Sequence, residues 1–201
     1  TWSHAGKTYF RVVDYKSTEH QVKPGEVVSG YKVQLITYLD ALLSSPAVAE
    51  RQGAGGGALY FTLQNDTVSL NKREDLDKKS VCYDMAGMVY DDRDNLLAMA
   101  GEDNRGGITV KEKDGALALG TRYTPVPEGG FDFLRNRMHE AIGKTVSQIR
   151  SGHIEIAPKE TNRKSACAYC QYNGICGFDG TPETVRQIPD EAVWDLKRKE
   201  N

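Results

Sequence analysis

The sequence predicts an α/β domain, and three observations carry that reading. Two short runs rich in β-branched and aromatic residues, Tyr9 to Lys16 and Ala58 to Leu63, read as strands. Between them, Glu26 to Ser44 repeats Val28, Tyr31, Leu35, Leu39 and Leu42 at intervals of three and four, the period of an amphipathic helix. A second long helix is expected from Phe131 to about Arg150, with Leu134, Met138, Ile142, Val146 and Ile149 on one stripe. The 201 residues suit one domain, or one domain with a small appended element, and can bury a core without disulfides.

The remaining elements follow in order. Thr1 to Ala5 leads almost at once into the first strand, with no initiator Met, which predicts a piece of a longer polypeptide. Ser17 to Gly25 is turn-like, closed by Pro24-Gly25. Ser44-Ser45-Pro46 stops the first helix. Gln52 to Gly57 reads as a Gly-rich loop; it precedes a strand rather than following one, so the dinucleotide-binding reading fails. Val68 to Leu70 continues the second strand after a turn at Asn65-Asp66. Ser80 to Ala100 is expected to hold one or two short helices, with Leu96, Leu97 and Met99 buried. Ile108 to Val110 and Ala116 to Leu119 make a hairpin around Lys113-Asp114-Gly115. Thr124-Pro125-Val126-Pro127 reads as a linker and Ile154 to Ile156 as one more short strand. The predicted divisions are a core over 1–160, a cysteine loop over 161–180, and a polar tail or short helix over 181–201. No internal repeat is visible.

Composition narrows the class. With 39% hydrophobic and 27% charged residues the chain is an ordinary globular protein. No apolar run approaches the roughly 18 residues of a membrane span, and no signal peptide opens the chain, so a cytoplasmic protein with no membrane role is expected. A net charge of −2 excludes nucleic-acid binding by bulk charge. Charge is uneven locally. Phe131 to Cys170 holds seven Lys/Arg against four acids, and Asp84 to Asp103 six acids against one Arg. The basic stretch either faces phosphates or is a solvated helix and loop surface.

Asp14-Tyr15-Lys16 ends an apolar strand, where a carboxylate and an ammonium avoid the core. The strand period of two puts Asp14 and Lys16 on one face. Phosphodiester hydrolysis needs a hard divalent ion held by carboxylate, a deprotonated water, and a cation against the charge that builds. Asp14 suits the first need and Lys16 the last; the alternative is a surface ion pair. Gln34 and Tyr38 lie at i and i+4 on the following helix, where amide and phenol either reach the same cleft or sit at the rim and in the core. Cys167, Cys170 and Cys176 place three thiols within ten residues, interleaved with Tyr169, Tyr172 and Gly174. Such clustering in a cytosolic protein favours zinc or iron–sulfur ligation over disulfides, although both want four ligands. The fourth cysteine, Cys82, lies in a separate segment. His139-Glu140 fails as a zinc-hydrolase motif because position 143 is Gly. Asp91-Asp92-Arg93-Asp94 lacks calcium-loop spacing.

Taken in order, Val12-Val13-Asp14-Tyr15-Lys16-Ser17, Gln34-Leu35-Ile36-Thr37-Tyr38-Leu39-Asp40, Ala58-Leu59-Tyr60-Phe61 and the cysteines followed by Gly177-Phe178-Asp179 resemble the RecB-like nuclease domain of the AddB/RexB-type subunit of bacterial ATP-dependent helicase–nucleases. The resemblance runs from about Tyr9 to Asp179. It implies a restriction-endonuclease-like α/β core with a mixed central sheet. It implies Mg2+-dependent cleavage of single-stranded DNA in double-strand-break repair, beside an AddA/RexA-type helicase–nuclease subunit. It makes Asp14 the metal ligand, Asp14, Lys16, Gln34 and Tyr38 the catalytic set, and Cys167, Cys170 and Cys176 ligands of a 4Fe–4S cluster. Two features of the family are absent: the metal-binding acid on the preceding strand, since Thr1 to Tyr9 has no Asp or Glu, and the first cluster cysteine. The chain alone is therefore expected to be inactive, with a weakened metal site and an incomplete cluster. The rivals are a non-catalytic metal-cluster DNA-binding module, and a Cas4-type nuclease, which the missing upstream acid and cysteine argue against.

Overall fold

The computed structural model describes residues 1–4, 7–63, 85–101, 107–113, 115–156, 158, 160–161, 164–165, 167, 170–178 and 189–200. The expectations for Val68 to Leu70, for the Asn65-Asp66 turn and for Cys82 lie outside them. The elements run β1 (Trp2–His4), β2 (Lys7–Lys16), α1 (Pro24–Val28), α2 (Gln34–Leu43), α3 (Pro46–Ala49), β3 (Gly53–Thr62), β4 (Met85–Tyr90), α4 (Arg93–Ala100), β5 (Val110–Lys113), β6 (Ala116–Leu119), β7 (Tyr123–Val126), α5 (Gly130–Arg150), β8 (Glu160–Thr161), β9 (Lys164–Ser165) and α6 (Asp190–Glu200). They fall into two compact units, Thr1–Lys23 with Gln34–Phe131, and Pro24–Val33 with Asp132–Asn201.

The first unit is built on a five-stranded mixed sheet in the order β1-β2-β3-β4-β7. β2 runs parallel to β3 and β4 parallel to β7; β1 and β4 run antiparallel to their neighbours β2 and β3. Side chains alternate across such a sheet. Val13, Leu59 and Phe61 therefore share one face, where Leu59 joins Met85, Val89, Leu96, Met99, Ala100 and Ile108 in a cluster beneath α4. Asp14, Lys16 and Tyr60 take the opposite face, which α2 covers by packing on β2 and β3. Helix α2 buries Leu35, Ile36, Leu39 and Leu43. This is the mixed sheet flanked by helices that the sequence predicts. Of the second unit, α1 and α6 pack together, and the Asp190 carboxylate accepts the Gly25 amide at 3.0 Å.

Five local expectations are corrected. The helix expected over Glu26 to Ser44 is two helices. Gly30, at φ 69°, closes α1 by accepting the left-handed position of a helix C-terminus, with Gly30 N–H bonded to Val27 O at 2.8 Å and Tyr31 N–H to Glu26 O at 2.9 Å. Pro24-Gly25 consequently opens a helix rather than closing a turn, because proline fits a first helical position. Gly53 to Gly57 are strand, not loop. β3 is crowded, and a Cβ on Gly55 or Gly56 would press into Phe131 or into Trp2 and Asn95; Gly56 is the extra residue of a β-bulge opposite Phe10 and Arg11. Met85–Tyr90 is a central strand, not helix: an apolar run this short has no readable period, and pairing on both edges decides it. Leu96 and Met99 are buried, but Leu97 is exposed on the outer side of α4.

Thr124 to Pro127 is likewise no linker, since Tyr123–Val126 forms the sheet's last strand. Pro125 is tolerated there because an edge strand can spare one amide. Ile154 to Ile156 pairs with nothing among the described residues, and Ile154 is 90% exposed. The hairpin is present as β5 and β6, with Lys113 opposite Ala116 and Gly115 at φ 79° in the turn. The long helix is present as α5, although its apolar stripe is buried only at Leu134 and Met138; Ile142, Val146 and Ile149 are exposed. The residues from Asp190 onward form a helix. No helix among the described residues is long and apolar enough to cross a membrane.

Candidate active site

Asp14 and Lys16 stand at the end of β2, and α2 begins where the chain returns to cover that face. Lys16 Nζ lies 2.7 Å from Asp14 Oδ2, with both side chains about a quarter exposed. The same ammonium donates to Gln34 Oε1 at 3.2 Å. Gln34 is the first residue of α2, and its Nε2 donates to the Tyr38 hydroxyl at 2.9 Å, one turn on. The structure thus brings together all four residues singled out in the sequence, in one connected chain.

Each contact limits the chemistry. Pairing with Asp14 is the largest influence on Lys16 and raises its pKa above the usual lysine value, against a smaller opposing effect of desolvation. Lys16 is therefore a standing cation at neutral pH and not a proton acceptor. Asp14 Oδ2 is shielded from solvent and has no partner at hydrogen-bond angles; it meets Lys16 as an ion pair only. Gln34 turns its oxygen to the ammonium and its nitrogen to the phenol, which fixes the amide orientation. Because the Tyr38 oxygen accepts from Gln34, its own proton remains for another acceptor, and Tyr38 is 45% exposed. An ammonium and a phenolic hydroxyl therefore face an incoming anion beside a carboxylate. A carboxylate suits a hard divalent cation, which commonly keeps several waters and takes only one or two carboxylates.

Two neighbours were not foreseen in the sequence. The Tyr60 ring lies under Lys16, with Nζ 5.4 Å from its centroid. His20 packs edge-on to Tyr60 at 5.7 Å, and its Nδ1 lies 2.9 Å from Thr18 O, so Nδ1 carries a proton. The parallel register sets Asp14 beside Tyr60; no local pattern in the sequence encodes that pairing. β1 pairs with β2 only from Trp2 opposite Tyr9 to His4 opposite Lys7, so none of its residues faces Asp14.

The cysteine segment belongs to the second unit. Cys167, Cys170 and Cys176 are in no disulfide. Successive turns link them: Cys170 N–H to Cys167 O at 3.2 Å and Cys176 N–H to Tyr172 O at 3.0 Å. The Phe178 amide donates to Cys176 Sγ at 3.4 Å. Among the described residues no three Cys, His, Asp or Glu side chains converge on one point. A closed cluster site is thus not formed as these residues stand; Tyr169 and Asp179 lie outside the described residues. The acidic run before α4 is a helix start, since Asp92 accepts the Asp94 and Asn95 amides at 3.1 Å each. In the basic stretch, Arg135 pairs with Asp132 and Arg137 with Glu140 along α5.

Residues 3–177 match the PD-(D/E)XK nuclease superfamily. The chain is 30% identical to the B-type subunit of the ATP-dependent helicase/deoxyribonuclease of Clostridium novyi (strain NT), over 96% of this chain and 18% of that protein. It is 32% identical to the protein of the same name from Clostridium botulinum (strain Hall), again over 96% and 18%, and 27% identical to that of Bacillus mycoides (strain KBAB4) over 96% and 18%. The chain spans 18% of the length of these relatives.

Proposed function

Since the chain belongs to the PD-(D/E)XK nuclease superfamily, we propose that Asp14, Lys16, Gln34 and Tyr38 form the phosphodiester-hydrolysing site of a DNA nuclease core. The observation that carries this is the unbroken line of contacts from Asp14 through Lys16 and Gln34 to Tyr38 at one end of the sheet. Asp14 is the ligand for Mg2+ through its carboxylate. When bound there, Mg2+ polarises the phosphate and acidifies a water. Lys16, held protonated, stabilises the charge that builds on the phosphate oxygens. Gln34 positions both Lys16 and Tyr38, and Tyr38 donates its free proton to a non-bridging oxygen.

The relatives' shared name, a helicase/deoxyribonuclease subunit, supports a deoxyribonuclease that works beside a helicase, and we propose the rest. The substrate is single-stranded DNA released from duplex ends by a helicase, the setting is double-strand-break repair in the cytoplasm, and the partner is an AddA/RexA-type subunit. Cys167, Cys170 and Cys176 are three of the four thiolates of a 4Fe–4S cluster, and the loop gathers when iron and sulfide are supplied. With one carboxylate at the metal position among the described residues, cleavage by this chain alone is expected to be feeble, so metal binding is the primary readout. The test is Mn2+ binding followed by electron paramagnetic resonance, with Mg2+-dependent cleavage of labelled single-stranded DNA beside it. Asp14→Ala is expected to abolish Mn2+ binding and any cleavage, and Lys16→Ala to abolish cleavage alone. If Asp14→Ala binds Mn2+ and cuts as the parent does, the assignment is wrong.

A further inference from the structure

Tyr15 separates Asp14 from Lys16 in sequence and, by the strand period, points to the other face of the sheet. There it packs at 5.3 Å against Phe61, its register partner on β3. Leu63 follows two residues after Phe61, on the same face by the same alternation, and its amide bonds to Lys16 O at 2.8 Å. Tyr15 is 63% exposed and Leu63 59% exposed. A bare aromatic and a bare leucine at the tip of a central strand are costly to leave in water without a use. They form a ledge that shares its sheet end, and one backbone hydrogen bond, with the carboxylate and ammonium of the site.

We propose that this ledge is a nucleobase-stacking subsite, which takes an unpaired base of single-stranded DNA next to the phosphate held at Lys16. This rests on the nuclease reading above and deepens it. The Tyr15 ring offers one broad open face, and every base has a π-face to lay on it. The Phe61 ring tilts at 59° against Tyr15 and buttresses it from the other side. A base in a duplex is already stacked, so the ledge favours a frayed or single strand over paired DNA. Stacking ignores base identity, and the subsite therefore gives strand-state selectivity with no sequence preference.

The experiment measures binding, so that it does not depend on turnover. The 201-residue chain with Asp14→Asn, which removes the carboxylate's repulsion of phosphate, is titrated against a fluorescent single-stranded oligothymidylate and against an abasic strand of the same length. Adding Tyr15→Ala is expected to weaken oligothymidylate binding roughly tenfold, the scale of one stacked base, and to leave abasic binding unchanged. Tyr15→Phe retains the affinity, and Tyr15→Trp shows quenched indole emission when oligothymidylate, but not the abasic strand, is added. Equal oligothymidylate affinity with and without Tyr15→Ala, or equal weakening on both strands, overturns the subsite. Lys16→Ala separates the two ideas. It is expected to weaken both strands alike; if it weakens neither, or the parent binds neither, the nuclease site itself falls.

Discussion

Replacing Gly56 with alanine asks why β3 is paved with glycine. Gly56 is not among the residues with positive φ, so alanine meets no backbone penalty there and the test is purely steric. The added Cβ would come 2.6 Å from the Trp2 ring and 2.8 Å from Asn95 Oδ1. Neither neighbour can swing away freely. Trp2 stacks on Tyr9 with centroids 6.0 Å apart, and Tyr9 on Tyr90 at the same spacing. Asn95 is fully buried, and its Nδ2 donates to Gly56 O at 3.2 Å and to Tyr90 O at 2.7 Å. Overpacking a filled site costs about 1–3 kcal/mol, and losing one Asn95 bond adds about 1 kcal/mol. A total of about 2–4 kcal/mol lowers the melting temperature of a domain this size by roughly 4–16 °C. Gly57→Ala is the control, because its Cβ would meet the end of the flexible Met99 side chain at 2.9 Å and displace it with little loss. Melting followed by circular dichroism, with urea titration beside it, reads both variants. A Gly56→Ala protein as stable as the parent, or less damaged than Gly57→Ala, refutes the packing argument.

Three further outcomes are expected. Asp92→Ala removes the carboxylate that caps α4 and should cost about 0.5–2 kcal/mol in urea titration, while Asp91→Ala, an exposed neighbour with no capping role, should stay within about 0.5 kcal/mol. The folded state raises the Lys16 pKa, so the stability this adds is complete below the usual lysine value of 10.5 and fades as pH climbs through the higher folded value; in metal-free Asp14→Asn the Lys16 ammonium should titrate at lower pH by carbon-detected NMR, and an unmoved titration would discount the pairing. Anaerobic reconstitution with iron, sulfide and a small thiol for the fourth ligand position should give a brown chain with the broad visible absorption of a cluster, reduced in Cys176→Ser; a colourless parent would remove the three cysteines from that role.

The four candidate site residues were legible as two pairs, each by a short-range rule, and the resemblance to a known family joined the pairs. Asp14 and Lys16 share a face by the strand period, and Gln34 and Tyr38 by the helical one. Tyr60 and His20 were not legible, since they reach the site through a parallel register set by a partner strand forty-odd positions on. The same distinction separates the elements. The 131–150 helix and the hairpin declare themselves locally, by stripe and by turn. Met85–Tyr90 is a strand only because it finds β3 on one side and Tyr123–Val126 on the other, and Tyr123–Val126 only because it finds Met85–Tyr90, and Gly53 to Gly57 hold an extended course only because bulky side chains lie over them. The break at Gly30 had a local sign, a glycine, outweighed by the apolar period running through it.

The division of the chain has a practical consequence for anyone who trims it. Neither unit is one continuous stretch: the backbone changes unit after Lys23, again after Val33, and a third time after Phe131. A truncation at Phe131 would remove α6 and the Asp190 carboxylate, and leave Pro24–Val28 with its fully buried Val27 stripped of its companion helix. That orphaned turn lies between Asp14 and Tyr38 along the chain, spliced between the two halves of the candidate site. A minimal version of this protein should therefore be sought by shortening loops, not by cutting at either end.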